Sequence, residues 1–289
     1  MLGSHARHVP DHLKSRARLP SVTVKAAEQL WHDNFYRSHP FASYYPNPAD
    51  FQEHFRRTQL TSFHEGGWSW WGDARRELMT MLGDVRGKSV LDYGCGSGNL
   101  GIYLAFQGAA VNGFDLSSEG IRIAQRAVEQ YGVDAEFQVM DAEHLTYADQ
   151  SFDLAVGFGV LHHVIKYPGA SAQLMSVMKP GARALFHETL WDNPFINLAR
   201  RFTMKDEEAG DARLTAAALR EFGRNFSHVN LHRRHLLYMF KRLVKIEPLT
   251  LAAPVRPRPL WKFVQSADRV LMAAGLSRWC GEVIVELVR

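Results

Sequence analysis

The sequence predicts an α/β protein built on a mainly parallel sheet with helices on both faces. Three observations carry that expectation. From residue 85 onward, short apolar runs alternate with segments of helical periodicity. The first run ends in a cluster of glycines, Gly94, Gly96 and Gly98. The chain closes on Glu282 to Val288, EVIVELV, a further apolar run. Strands alternating with helices require crossover connections, which are right-handed and leave a parallel sheet covered on both sides.

The elements follow in order. Ser89-Val90-Leu91-Asp92-Tyr93 reads as the first strand, and Leu100, Tyr103 and Leu104 lie on one face of the helix behind it. Ala109 to Asp115 is the second strand. Ile121, Ala124, Val128 and Tyr131 then recur at spacings of 3, 4 and 3, one helix face. Ala135 to Val139 and Phe152 to Phe158 are strands three and four. Leu174, Val177 and Met178 mark a helix stopped by Pro180-Gly181, and Ala182 to His187 is strand five. After Glu188 the alternation lapses. Residues 190–225 read as loops and short helices, Val229 to His232 as a strand, and 236–280 as helical stretches broken by Pro248, Pro254, Pro257 and Pro259. Upstream, residues 21–80 are rich in aromatics, and the prolines from His39-Pro40 to Pro46-Asn47-Pro48 predict short helices and loops. Residues 1–20 carry little apolar periodicity and read as a mobile tail.

At about 150 residues per domain, a chain of 289 residues suggests two domains or one domain with a large insertion. Hydrophobic residues at 46% and charged residues at 22% are ordinary globular values, which argues against a disordered or fibrous chain. The balance of 34 basic and 30 acidic residues gives +4, too mild to mark a nucleic-acid binder. Cys95 and Cys280 alone make neither a disulfide framework nor a four-cysteine zinc site. No apolar run approaches the roughly 18 residues of a membrane span, and the first residues lack the apolar centre of a signal peptide. A soluble protein in a reducing cytoplasm is the expectation.

The segment from Val90 to Gly101, VLDYGCGSGNLG, is the most informative. Its glycines permit a tight turn and let a ligand touch backbone, and the helix behind supplies N–H groups. Ligands of open parallel sheets sit at the carboxyl ends of the strands. Asp115 ends the second strand, where a carboxylate can accept two ribose hydroxyls. A dinucleotide pattern, G-x-G-x-x-G, is present as Gly96, Gly98 and Gly101. It starts late, however, and read from Gly94 it fails at Asn99. Asp92 would also repel a pyrophosphate, whereas it favours a cationic ligand such as an ammonium or sulfonium. A dinucleotide is therefore the weaker reading.

This segment resembles the class I S-adenosylmethionine-dependent methyltransferases, in particular the small-molecule, methyltransferase type 11-like group with V-L-D-x-G-C-G-x-G. The resemblance covers about residues 85–190 and the last strand. It is supported by Met140-Asp141-Ala142-Glu143, by Ser151-Phe152-Asp153-Leu154, by Leu161-His162-His163-Val164, and by Met178-Lys179-Pro180-Gly181-Ala182. It implies a Rossmann-like, seven-stranded, mainly parallel sheet with an antiparallel last strand and a helical cap. In that frame residues 21–80 form an N-terminal cap, 81–190 the donor-binding core, 191–280 a lid and helical insert with one core strand near 229–232, and 281–289 the final strand. The resemblance also implies S-adenosyl-L-methionine as donor. Gly94 and Gly96 would line its methionine part, with Asp92 and Gly98 in the same loop. Asp115 would hold the ribose beside Leu116. Asp141 would bind the adenine amino group with Ala142 alongside. Phe158 and Gly159 would border the sulfonium.

The acceptor is less legible. A base is needed only if the acceptor must lose a proton early. His162 and His163 after strand four, and Glu188 at the end of strand five, are the catalytic candidates. His187 and Glu188 point to opposite sides of the strand. Tyr36, His64, Trp68, Trp71 and Asn193 are candidates for holding a small, partly apolar acceptor. No counterpart of the metal cluster of catechol-type members is present, so no metal is expected. The basic stretch His232-Arg233-Arg234-His235 with Lys241-Arg242 keeps methylation of RNA or protein as an alternative. A donor-binding protein without methyl transfer is another. The cap regions suggest a homodimer, and no membrane partner is expected.

Overall fold

The computed structural model describes residues 21–38, 45–61, 72–193, 197, 212–236 and 259–289. Seven strands form one sheet: β1 Ser89–Tyr93, β2 Ala110–Asp115, β3 Ala135–Val139, β4 Phe152–Phe158, β5 Met178–Thr189, β6 His228–Arg234 and β7 Glu282–Val288. Their order is β3-β2-β1-β4-β5-β7-β6. The first five pair in parallel. β7 runs antiparallel to both of its neighbours, β5 and β6. β1 therefore lies between β2 and β4, where the direction of winding reverses and a crevice opens at the carboxyl ends of the strands.

The helices are α1 Ser21–Ser38, α2 Pro48–Phe55, α3 Gly72–Leu82, α4 Asn99–Phe106, α5 Ser118–Tyr131, α6 Leu161–Val164, α7 Ala170–Val177, α8 Ala216–Phe222 and α9 Pro259–Ala273. Their starts follow local chemistry. Asn47 and Ser117 accept from Asp50 N and Gly120 N as N-caps of α2 and α5. Thr215 caps α8 in the same way. Pro48 and Pro259 occupy first helical positions, where a missing N–H costs nothing.

Two buried layers sandwich the sheet. One holds Phe51, Phe55, Leu78, Leu104, Ile121, Leu154, Leu185 and Ile284. The other holds Phe152, Leu161, Leu174, Phe186, Leu219, Val283 and Val285. Phe152 and Leu154 are both buried, in opposite layers, and the pairing of β4 with β5 shifts register between them. Full burial of each such side chain contributes about 1.5–3 kcal/mol. Among the described residues no helix is long and apolar enough to cross a membrane.

Two expectations change. Strand five starts at Met178, before Pro180-Gly181, and α7 ends at Val177. Met178 is buried and pairs with Phe152, so tertiary pairing takes it from the helix. Upstream, the expected short helices include one of 18 residues, α1. The prolines that interrupt it all lie beyond its last residue, Ser38.

Candidate active site

An open-mouthed cavity sits at the crevice beside β1. The ends of β1, β2, β3 and β4 supply Gly94, Asp115, Leu116, Asp141, Ala142, Phe158 and Gly159. Seven of the ten residues proposed for the donor thus line one space. A face of α1, with Lys25, Glu28, His32 and Tyr36, covers it. Val160, His163, Val164 and Tyr167 complete the wall after β4.

The loop after β1 is built for close approach. Gly94 has φ +66, and a Cβ there would lie 2.2 Å from Val160 Cγ2. Gly96 has φ +57, and a Cβ there would lie 2.2 Å from the Tyr36 hydroxyl oxygen. Neither position tolerates a side chain. Asp115 holds the loop: its Oδ2 accepts from Gly96 N at 2.8 Å and its Oδ1 from Ser117 N at 2.9 Å.

Asp92, Gly96 and Gly98 stand behind the cavity wall rather than in it. Asp92 is buried, and its Oδ2 accepts from Gly101 N at 2.8 Å. Burial pushes its carboxyl up to about 7, against the Gly101 bond and with help from the Asp115 charge. The attraction for a cationic ligand expected of Asp92 is corrected accordingly: it braces the loop from below.

Asp141 is already occupied. Its Oδ1 accepts from Glu143 N at 3.0 Å, and its Oδ2 accepts from Lys25 Nζ at 2.5 Å. Lys25 also reaches Glu143 Oε2 at 2.7 Å and lies 4.4 Å from the centre of the Tyr167 ring. Burial works against the Lys25 charge, but its bonds to Asp141 and Glu143 outweigh it and hold the ammonium pKa above the usual value. One turn on, buried Glu28 accepts from Lys166 Nζ at 2.5 Å and the Tyr167 hydroxyl at 2.6 Å, with His163 Nδ1 at 3.6 Å. Burial would raise the Glu28 pKa, yet the bonds from His163, Lys166 and Tyr167 keep it below the usual range.

The catalytic candidates separate. His163 lines the cavity, its ring 5.0 Å from that of His32 and 4.1 Å from that of His162. Neither Glu188 nor His162 lines it, although His162 Cε1 comes within 3.7 Å of a Cβ built on Gly159, which does. The Glu188 Oε1 accepts from Val160 N at 2.7 Å and Leu161 N at 2.5 Å, and its Oε2 lies 2.9 Å from His162 Nδ1. Burial opposes this charge, and His162 with the Leu161 N–H overcomes it, holding the carboxylate below its usual pKa. A carboxylate so engaged is a poor direct base; it is a support for His162. His187 points to the opposite face, as expected, beside Phe158 with ring centres 6.3 Å apart. The Arg75 guanidinium stacks on Phe158 at 4.5 Å.

Asn193 is buried and donates to Trp279 O at 2.5 Å, tying a loop to the approach of β7 away from the cavity. Asn193 does not line the cavity. Tyr36 lies in the cavity wall. His64, Trp68 and Trp71 lie outside the described residues, as do Lys241 and Arg242. Of the basic stretch, the Arg234 charge is matched by Glu77, and His232 Nε2 lies 3.1 Å from Glu286 Oε2. Sequence reasoning missed Lys25, Glu28 and His32. The signal was their spacing with Tyr36, three, four and four residues, one helix face.

A family model described as "Methyltransferase domain" matches residues 90–181. The chain is 31% identical over 163 residues to a ubiquinone biosynthesis O-methyltransferase of Xanthomonas campestris pv. campestris, covering 52% of this chain and 67% of that protein. It is 30% identical over 147 residues to the protein of the same name in Coxiella burnetii, covering 47% of this chain and 63% of that one. Among solved structures, the [4+2]-cyclase SpnF superposes with a TM-score of 0.58 at 18% identity, covering 94% of this chain and 99% of that one. A Haemonchus contortus phosphoethanolamine N-methyltransferase in complex with S-adenosyl-L-methionine gives 0.52 at 16% identity, covering 83% and 60%. At those identities the structures speak for the fold.

Proposed function

We propose, from the premise that this chain belongs to the class I S-adenosylmethionine-dependent methyltransferases, that it methylates a small, partly apolar metabolite in a biosynthetic reaction, with oxygen as the preferred acceptor atom. The observation that carries this reading is the cavity itself. It joins the bare Gly94 backbone, the Asp115 carboxylate and the Asp141 carboxylate at three adjacent strand ends. The oxygen preference is supported by the O-methyltransferases of ubiquinone biosynthesis among its relatives.

The residues fit the donor. Asp115 takes the ribose hydroxyls, Leu116 and Ala142 flank the adenine, Asp141 accepts from its amino group, and Phe158 with Gly159 borders the sulfur. When bound, the donor supplies a methyl group already activated on a cationic sulfur. The protein's share is placement and exclusion of water. α1 performs the second task by covering the cavity. His162, fixed through Nδ1 by Glu188, takes the proton that an acceptor hydroxyl releases, and His163 with Tyr36 shapes the space beside it. A reducing cytoplasmic setting belongs to the same reading, in keeping with the two free thiols, Cys95 and Cys280. A homodimer belongs to the same reading and is checked by sedimentation equilibrium.

The test is transfer of isotope-labelled methyl from S-adenosylmethionine into a cell extract divided into small-molecule, RNA and protein pools. Label in the small-molecule pool is expected. Label in RNA or protein overturns the acceptor class. Donor binding with no labelled product in any pool turns the reading toward a binding protein.

A further inference from the structure

Both Asp141 oxygens already have a partner, and at Oδ2 that partner is an internal cation standing where an adenine amino group would approach. Oδ1 is engaged by Glu143 N, and Oδ2 by Lys25 Nζ. Lys25 has a second partner at hand, since Glu143 Oε2 is 2.7 Å away. Glu143 is itself steadied by Gly169 N, which donates to its Oε1 at 3.0 Å. The ammonium can therefore leave Asp141 without losing its compensation. The helix that carries it need not move. Asp33 Oδ1 binds the Ser117 hydroxyl at 2.6 Å and Glu119 N at 3.0 Å, and Glu28 is held by Lys166 and Tyr167.

We infer that Lys25 is an internal competitor for the donor's adenine subsite: its ammonium occupies the Asp141 oxygen that the adenine amino group needs, and moves onto Glu143 when the donor binds. This rests on the donor reading given above. The side chains of Lys25 and Asp141 are 17% and 26% exposed, and ion pairs with this much access to water are weak enough to be exchanged. A site closed part of the time by its own side chain binds with an affinity reduced by the fraction of time it is open. Lys25 then sets how tightly donor and spent product are held, and favours release of the product.

The test is calorimetric titration of the full chain with S-adenosylhomocysteine, with circular dichroism to confirm folding of each variant. Lys25→Met is expected to tighten binding about threefold or more. In the Asp141→Asn background the same change is expected to give no gain, because the charge that holds the Lys25 ammonium over the subsite is gone. Binding that Lys25→Met leaves unchanged or weakens overturns the inference, and so does a gain that persists with Asn at 141. Asp115→Ala separates the two readings. Wild-type binding that Asp115→Ala weakens about tenfold or more, combined with no gain from Lys25→Met, sinks the competition alone. Binding indifferent to Asp115→Ala sinks the donor site, and the competition with it.

Discussion

Glu188 and Asp115 are both carboxylates at strand ends, and their surroundings give them different work. Asp115 faces the cavity while bracing the loop through Gly96 N and Ser117 N. Asp115→Ala is expected to weaken S-adenosylhomocysteine binding about tenfold or more, through loss of charge-assisted hydrogen bonds. Near-wild-type calorimetry removes the ribose assignment. In the proposed reading Glu188 acts through His162, whose Nδ1 lies 2.9 Å from its Oε2. Glu188→Gln presents an amide to Nδ1 and is expected to lower turnover about tenfold or more, with donor affinity within about twofold because the side chain is outside the cavity. Turnover unaffected by the change removes Glu188 from the mechanism. A second readout follows from linkage. The folded-state pKa of Glu188 lies below the ordinary 4.5. Its stabilisation is complete above that value and is lost as pH falls through the folded-state pKa. Wild-type stability to urea is therefore expected to drop more steeply below pH 4.5 than that of Glu188→Gln. Parallel slopes contradict the assignment.

α1 shows how a helix of modest intrinsic preference is held by tertiary contacts. It has no acidic residue in its first turn, and Leu30 and Phe35 on it remain exposed. What fixes it is a polar seam: Lys25 on Asp141 and Glu143, Glu28 on Lys166 and Tyr167, and Asp33 at the start of α5. Asp33 accepts from Glu119 N and the Ser117 hydroxyl, so one helix caps another. Asp33→Ala is expected to cost about 1–2 kcal/mol and to speed amide exchange in α1 ahead of α5. Equal protection of both helices refutes this role. The strands of the core were legible because each is a run of apolar residues at the length and period a buried strand requires. α1 was not, because its buried face is polar and complements partners more than 80 residues away in sequence.

For the whole molecule, the cavity lies where the sheet reverses its winding, so binding there draws on several elements at once. A ligand that binds only the folded chain stabilises it by mass action. At one hundred times its dissociation constant, S-adenosylhomocysteine is expected to add about 2.7 kcal/mol, a rise in Tm of about 5–10 °C for a chain of this size. No shift at that saturation excludes a site in the native fold. Local pattern was enough to establish the α/β class, the strand sequence, the antiparallel last strand through its family likeness, and the glycine loop with Asp115. Apart from the direction of the last strand, which only the resemblance implied, those features are written in periods of two and of 3.6 and in short spacings, which neighbouring residues impose on one another. The placement of the polar and charged residues was decided by tertiary structure: Lys25 over Asp141, Glu188 behind His162, Asp92 beneath the loop, Asn193 against Trp279. A carboxylate's role depends on its burial and on which donors reach it. Both are set by chain segments distant in sequence, and no local pattern records which of them will meet.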